Sequence, residues 1–389
     1  MTKLHNMKLV FYSPVLNHHQ AGVADELYAR LGSEYCFVEL TNIGDNKGGV
    51  EDFSSRPYLL RAWESDVQYR EAMNLGKTAE VCVFAGYDSL PFERERMKCG
   101  LLSFDMGERL LKRGLLNLLS PRIFSMVIAY HRGRWGSKPL YKLCCSGFTA
   151  SDCAKLGMFA EKCYKWGYFT PVAECMDIDQ KSTETVSLMW CARLLTWKHP
   201  ELVLEMAKML KDKGYDFKID VFGDEKNAGK HEKIFPRERL EALIREYGID
   251  DVVSLRGRRP NDEILQEMKS HDIFLFTSDK MEGWGAVANE SLANGCVLIA
   301  SDAVGSSPYL IENGENGFIF ESGNAKSLAD KVEYLLNHRE DIERMKCNAH
   351  LLMKQYWNPK QAAINLLKLI ENIQKGKCTS IECGPCSIA

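Results

Sequence analysis

The sequence predicts an α/β chain of two doubly wound domains facing a cleft, and three observations carry that expectation. Short apolar runs bounded by polar residues alternate with amphipathic segments almost throughout. The alternation starts afresh near residue 187, after a polar stretch containing a proline. A length of 389 residues suffices for two domains of ordinary size, and 45% hydrophobic with 26% charged residues can build a full core.

The first series opens with a strand at 8–13 (KLVFYS), followed by a polar loop at 14–22 (PVLNHHQAG) and an amphipathic helix at about 23–31. Further strands are expected at 35–40, 81–85, 101–104 and 142–146. The second series begins with a strand at 187–191 and continues with a helix near 200–213, a strand at 217–222 and a helix near 237–247. Strands at 252–255, 273–277 and 297–300, with a short piece near 317–320, complete it. The expected boundaries are a first domain at 1–171, a linker at 172–185 and a second domain at 186–357. An amphipathic helix within 358–377 is expected to pack back on the first domain, ahead of a cysteine-bearing tail at 378–389.

Composition excludes several classes. A net charge of −3 argues against a dedicated nucleic-acid binder. The apolar runs fall short of a bilayer span, and MTKLHNMKLVFYS lacks a signal-peptide core, so a cytoplasmic protein is expected, peripheral at the inner face of the plasma membrane if it meets lipid. Of fourteen cysteines, eleven are scattered from Cys36 to Cys347, several within apolar runs, as buried thiols in a reducing compartment would be. Cys378, Cys383 and Cys386 include a CxxC step, but three thiols with no histidine nearby fall short of a closed zinc site. The tail is therefore expected to fray without a part in the chemistry.

The chemistry concentrates in DKMEGWGAVANESLANG, residues 279–295. Glu282 lies in the loop after an apolar strand, and Glu290 lies in the second or third turn of the helix that follows. Such a junction offers free N–H groups and the positive end of a helix dipole, which favour an anion. Arg193 and Lys198 follow the strand at 187–191, and Gly223 ends the next strand where a glycine allows close backbone approach. Together these residues could hold a nucleotide-sugar. Arg193 offers a fork and Lys198 a point charge to a diphosphate, with backbone N–H groups around Gly283, Trp284 and Gly285 adding contacts. A carboxylate accepts two hydroxyls, so Glu290 suits a ribose diol and Glu282 a sugar hydroxyl.

On these residues the stretch 187–320 resembles the C-terminal domain of the retaining glycosyltransferases of family four (glycosyl transferases group 1), of the bacterial cell-surface polysaccharide type. The matching positions are Arg193 and Lys198 (R-x4-K), Gly223, Ser278, Glu282 through Gly285 with Glu290 (E-x7-E), and the ANG and ENGENG stretches at 293–295 and 312–317. The first half is similar more loosely, through Asn17-His-His-Gln20 and the acidic segment Asp105-Met-Gly-Glu108. The resemblance implies a GT-B fold and metal-independent transfer, with retention, from a UDP- or GDP-type sugar donor and no separate cofactor. It puts Glu282, Arg193, Lys198, His19 and Asp105 in catalytic roles, and Asn17, His18, His19, Gly22, Asp105 and Glu108 on the acceptor side. The chain departs from the family in two respects: Ala192 stands where a glycine usually precedes the arginine, and acids occupy 105 and 108 where many members carry a histidine.

One regional signal remains. Between 107 and 143, eight cations (Arg109, Lys112, Arg113, Arg122, Arg132, Arg134, Lys138, Lys142) face a single acid, Glu108, and interleave with leucines. That composition suits either an anionic membrane surface, and with it a polyprenyl-linked rather than a free saccharide acceptor, or a solvated basic rim. Two other readings fit the same nucleotide-sugar site: an epimerase of the same fold, which needs no acceptor, and a catalytically silent sugar-nucleotide-binding protein.

Overall fold

The computed structural model describes residues 7–42, 53–174, 185–225, 232–377 and 379–389. Most of the linker expected at 172–185 lies outside them, as does Cys378. The chain divides into two compact units, one of residues 1–170 with 356–389 and one of residues 171–355.

The first unit runs β1 (Leu9–Ser13), α1 (His18–Leu31), β2 (Tyr35–Glu39), β3 (Leu59–Arg61), α2 (Asp66–Thr78), β4 (Val81–Ala85), α3 (Leu90–Cys99), β5 (Ser103–Gly107) and β6 (Lys112–Leu115). It continues with α4 (Pro121–Arg132), β7 (Leu140–Cys144), α5 (Thr149–Lys155) and β8 (Cys163–Lys165). Seven parallel strands form its sheet in the order β3-β2-β1-β4-β5-β7-β8. Strands β1 and β4 are buried at every position because helices cover both faces, which is why LVFYS and VCVFA read as continuous apolar runs.

The second unit runs β9 (Val186–Cys191), α6 (Pro200–Asp212), β10 (Phe217–Phe222), α7 (Arg237–Tyr247), β11 (Val253–Gly257), α8 (Asn261–Ser270) and β12 (Ile273–Phe276). Then come α9 (Val287–Ala293), β13 (Val297–Ser301), α10 (Ser307–Leu310), β14 (Gly317–Phe320), α11 (Ala325–Asn337) and α12 (Arg339–Gln355). Its sheet order β11-β10-β9-β12-β13-β14 is that of a dinucleotide-binding doubly wound sheet. Strand order reverses between β9 and β12, so their carboxyl ends frame the natural binding crevice.

After the second unit, α13 (Pro359–Gln374) returns to the first and packs on α1; a Cβ at Gly22 would come within 2.8 Å of the Pro359 ring. Phe169 and Trp357 stack there at 6.1 Å.

Several expectations change. The loop expected to end at residue 22 ends at Asn17: His18 to Gly22 form the first turn of α1, capped by the Asn17 side chain accepting from His19 N at 3.0 Å. The tail does not fray. Cys386 N donates to Lys165 O at 2.7 Å, and Lys165 N donates to Ser387 O at 2.8 Å, so the tail covers the β8 edge of the sheet and Cys386 is buried. Three of the eight cations in 107–143 do not belong to a surface patch. Lys142 is buried against Asp105 at 2.9 Å, Arg109 lies 3.6 Å from Asp152, and Lys112 pairs with Glu108 at 3.3 Å. The twelve described cysteines are all free thiols.

Arg96 was not singled out from sequence, yet it is a buried cross-brace. Its guanidinium donates to Ser103 Oγ and to the carbonyls of Gly76, Ala79, Glu80 and Leu102, binding α2, α3 and β5 into one layer.

Candidate functional site

At the β9–β12 switch point of the second unit, one hydrogen-bonded chain fixes the lysine loop. The buried Trp190 indole donates to Thr277 Oγ1 at 2.8 Å, and Thr277 Oγ1 donates to the Lys198 carbonyl at 2.6 Å. The Lys198 ammonium sits 4.3 Å above the Trp197 ring and forms an ion pair with Glu282, whose carboxylate also accepts from Ser278 Oγ at 3.0 Å. Both members of the pair are 12% exposed, so the attraction acts at reduced dielectric and neither charge can be lost cheaply. Lys198 and Glu282, expected to grip opposite ends of a donor, thus meet each other directly.

Arg193 presents both guanidinium ends to Glu232, at 2.6 and 3.1 Å. Gly223 lies alongside at φ +138°, where a Cβ would fall 1.8 Å from the Ala192 carbonyl oxygen. The glycine is required because the loops after β9 and β10 touch backbone to backbone. Gly285 is confined in the same way: φ is +81°, and a Cβ would lie 2.3 Å from the Phe276 ring.

Helix α9 has only seven residues and places Glu290 in its first turn, one turn earlier than expected. Burial raises the Glu290 carboxyl to about 7. With so short a helix, Arg193 and Lys198 supply most of the positive charge available to an anion. Gly283 and Trp284 lie in the turn, where backbone N–H groups were expected to add contacts, and the Trp284 side chain turns inward. Its ring is fully buried and donates to Asn289 Oδ1 at 2.7 Å, leaving only its backbone at the turn.

Two groups here escaped the sequence reading. His199 follows Lys198 at φ +51°, with Nδ1 2.7 Å from Glu201 and Nε2 3.5 Å from Asp279. Hydrogen bonds to Asp279 and then Glu201 raise it to about 9, so the imidazolium joins the lysine loop to the start of the Glu282 turn. Ser306 N donates to Trp284 O at 3.2 Å, and the buried Ser306 Oγ finds no partner among the described residues. The sequence signal was GSSP (305–308), separated by three residues from the buried strand before it.

In the first unit, His19 stacks on Tyr168 at 5.7 Å, and Tyr168 OH donates to Glu108 at 3.2 Å, which brings two acceptor-side candidates around one ring. The His18 and His19 rings lie 3.7 Å apart; burial first, then His18, lowers His19 to about 3, so it stays neutral at physiological pH. The other candidates have structural duties. Asn17 caps α1, Gly22 admits Pro359, and Asp105 turns toward Lys142. Beneath Asp105, the buried Glu93 is raised well above the ordinary carboxyl range by burial and by the Asp105 charge.

Two Rossmann-like units with such sheets make the GT-B fold. HepE of Anabaena, solved in complex with UDP, superposes with a TM-score of 0.67 over 95% of this chain and 100% of that one, at 15% identity. Residues 177–351 match the family described as Glycosyl transferases group 1. The resemblance read from R-x4-K and E-x7-E therefore holds. A putative colanic acid biosynthesis glycosyltransferase of Salmonella typhimurium, WcaL, is 28% identical over 190 residues, 47% of this chain and 44% of its own length. The amylovoran biosynthesis glycosyltransferase AmsK of Erwinia amylovora is 26% identical over 195 residues, 49% of this chain and 46% of its own. This chain thus spans a little under half the length of these curated relatives.

Proposed function

We propose that the protein is a retaining, metal-independent glycosyltransferase of bacterial cell-surface polysaccharide assembly, moving a sugar from a nucleoside diphosphate to a saccharide or lipid-linked acceptor. The observation that carries the reading is the Lys198–Glu282 pair at the switch point, with Arg193 on the neighbouring loop. A diphosphate entering there would draw Lys198 from Glu282 and Arg193 from Glu232, freeing the Glu282 carboxylate for a sugar hydroxyl. As the glycosidic bond breaks, charge accumulates on the leaving diphosphate. Fixed guanidinium and ammonium groups stabilise that charge in the transition state more than in the ground state. In this reading Glu290 takes the ribose diol, and the His19–Tyr168–Glu108 group takes the acceptor. The names of the relatives point to transfer, and neither an epimerase nor a silent binding protein gains support from them.

The test pairs binding with turnover. UDP at about a hundred times its dissociation constant should stabilise the protein by about 2.7 kcal/mol. Lys198→Met should lower transfer by roughly 10²–10³ and also destabilise the fold, because among the described residues the Glu282 carboxylate then keeps only Ser278. Adding Glu282→Gln should restore stability without restoring turnover. If the double variant transfers sugar at the wild-type rate, the reading fails; an inverted anomeric centre in the product would overturn retention alone.

A further inference from the structure

The region from β6 to the end of α4 carries apolar side chains with no internal role. Leu115 is 63% exposed, Leu116 69%, Leu119 82% and Phe124 55%. Around them stand Arg113, Arg122 and Arg132, all exposed, with Arg122 lying over the exposed Tyr87 ring at 5.2 Å. From residue 109 to residue 138 the sequence contains no acid. Beside Phe124 a groove of about 770 Å³ opens between α3 and α4, with cations Arg94, Lys98, Arg132 and Lys138 around an apolar floor that includes Ile128 and Trp135. Glu95 is the acid in its lining, and Lys98 bonds to it.

We propose that this face docks the protein on a bilayer containing anionic lipid, with the four apolar side chains entering the acyl boundary and the arginines meeting phosphate headgroups. The chemistry selects that occupant. Four large apolar side chains exposed to this degree within ten residues of sequence exceed the scattered single exposures normal on a monomer, and such a concentration marks an interaction surface. Exposed arginines in a stretch of sequence that holds no carboxylate supply the complement of an anionic surface, each nearby cation adding about fivefold to partitioning. The groove continues the same pattern into a recess that fits a lipid phosphate above an alkyl chain. After Arg109, Lys112 and Lys142 are assigned to ion pairs in the fold, five of the eight cations remain, Arg113, Arg122, Arg132, Arg134 and Lys138, and Arg113 and Arg122, which flank the exposed leucines in sequence, are the residues to test.

The proposal rests on this surface alone, not on the proposed glycosyl transfer. Co-sedimentation of the full chain with vesicles of phosphatidylcholine, with and without 30 mole per cent phosphatidylglycerol, tests it. Binding should require phosphatidylglycerol and weaken on raising salt from about 0.05 to 0.5 M. It should fall at least tenfold in Leu116→Ser/Leu119→Ser, and at least tenfold in Arg113→Gln/Arg122→Gln, with the UDP-induced thermal shift unchanged in both. Wild-type vesicle binding in either variant overturns the proposal, as does equal binding to neutral vesicles. A dimer in light scattering that Leu119→Ser converts to monomer also overturns it, because a second copy then covers the face. Leu119→Ser, at the most exposed of the four positions, serves as a single-site check that needs no repacking.

Discussion

Glu290 connects burial, protonation and recognition in one side chain. Its carboxyl is raised to about 7 from an ordinary 4.5. Between those values the folded chain binds more protons than the unfolded one, so stability falls as pH rises from about 4.5 to about 7 and levels off above. Glu290→Gln removes that cost. The variant should match the wild type at pH 4 and exceed it at pH 8 by on the order of 2–3 kcal/mol, as denaturant melts at the two pH values will show. The same substitution should weaken UDP binding, because an amide cannot accept two hydroxyls as a carboxylate does. Gained stability with lost affinity is the mark of a residue kept for function; a variant that gains stability and binds UDP unchanged would make Glu290 a mere buried acid. Gly223 shows the opposite balance. With a Cβ aimed at a carbonyl oxygen 1.8 Å away and φ at +138°, Gly223→Ala should cost 2 kcal/mol or more by chemical denaturation.

At the scale of elements, legibility followed the source of each element's stability. Strands buried at every position, β1, β4, β12 and β13, were read to within one residue, because a run such as VCVFA has no alternative environment. Strand β5, partly exposed, was read as 101–104 and ends three residues later. The start of α1 was lost because its first turn is His-His-Gln-Ala-Gly, polar residues that satisfy no apolar period, although Asn17 three residues before Gln20 was a capping-box signal. Asn17→Ala should therefore lower stability by about 1 kcal/mol with little change in donor affinity. A large loss of transfer without that destabilisation would return Asn17 to the acceptor side. Helix α12 carried its signal in plain view, with Ile342, Met345, Ala349 and Met353 on one buried stripe, but charged residues dilute the period. At the site, the ligand-facing residue types were readable, whereas their mutual pairing was not. That Lys198 reaches Glu282 and that Trp284 turns inward depend on how two loops cross, which spacing along a chain does not encode.

On the scale of the molecule, the topology makes the first unit depend on both ends of the chain. Its sheet comes from residues before 171, but one covering helix is supplied from beyond residue 355, after the chain has built the second unit. Helix α13 buries Ala362, Ala363, Leu366, Leu367, Leu369 and Ile370, and its Asn365 donates to Pro385 O at 2.8 Å to hold the tail against the β8 edge. Leu366 is fully buried, so Leu366→Ala leaves a cavity costing about 2–5 kcal/mol. That loss is comparable with the net stability of a whole domain. Amide exchange resolved along the chain should show the consequence. Protection should drop across α1, β1 and β2 and in the tail beside β8, two stretches far apart in sequence, while β9, β10 and β12 keep theirs. Accelerated exchange confined to α13 would show instead that the helix is an independent appendage. Equal acceleration in the second sheet would show that the two units unfold as a single cooperative block.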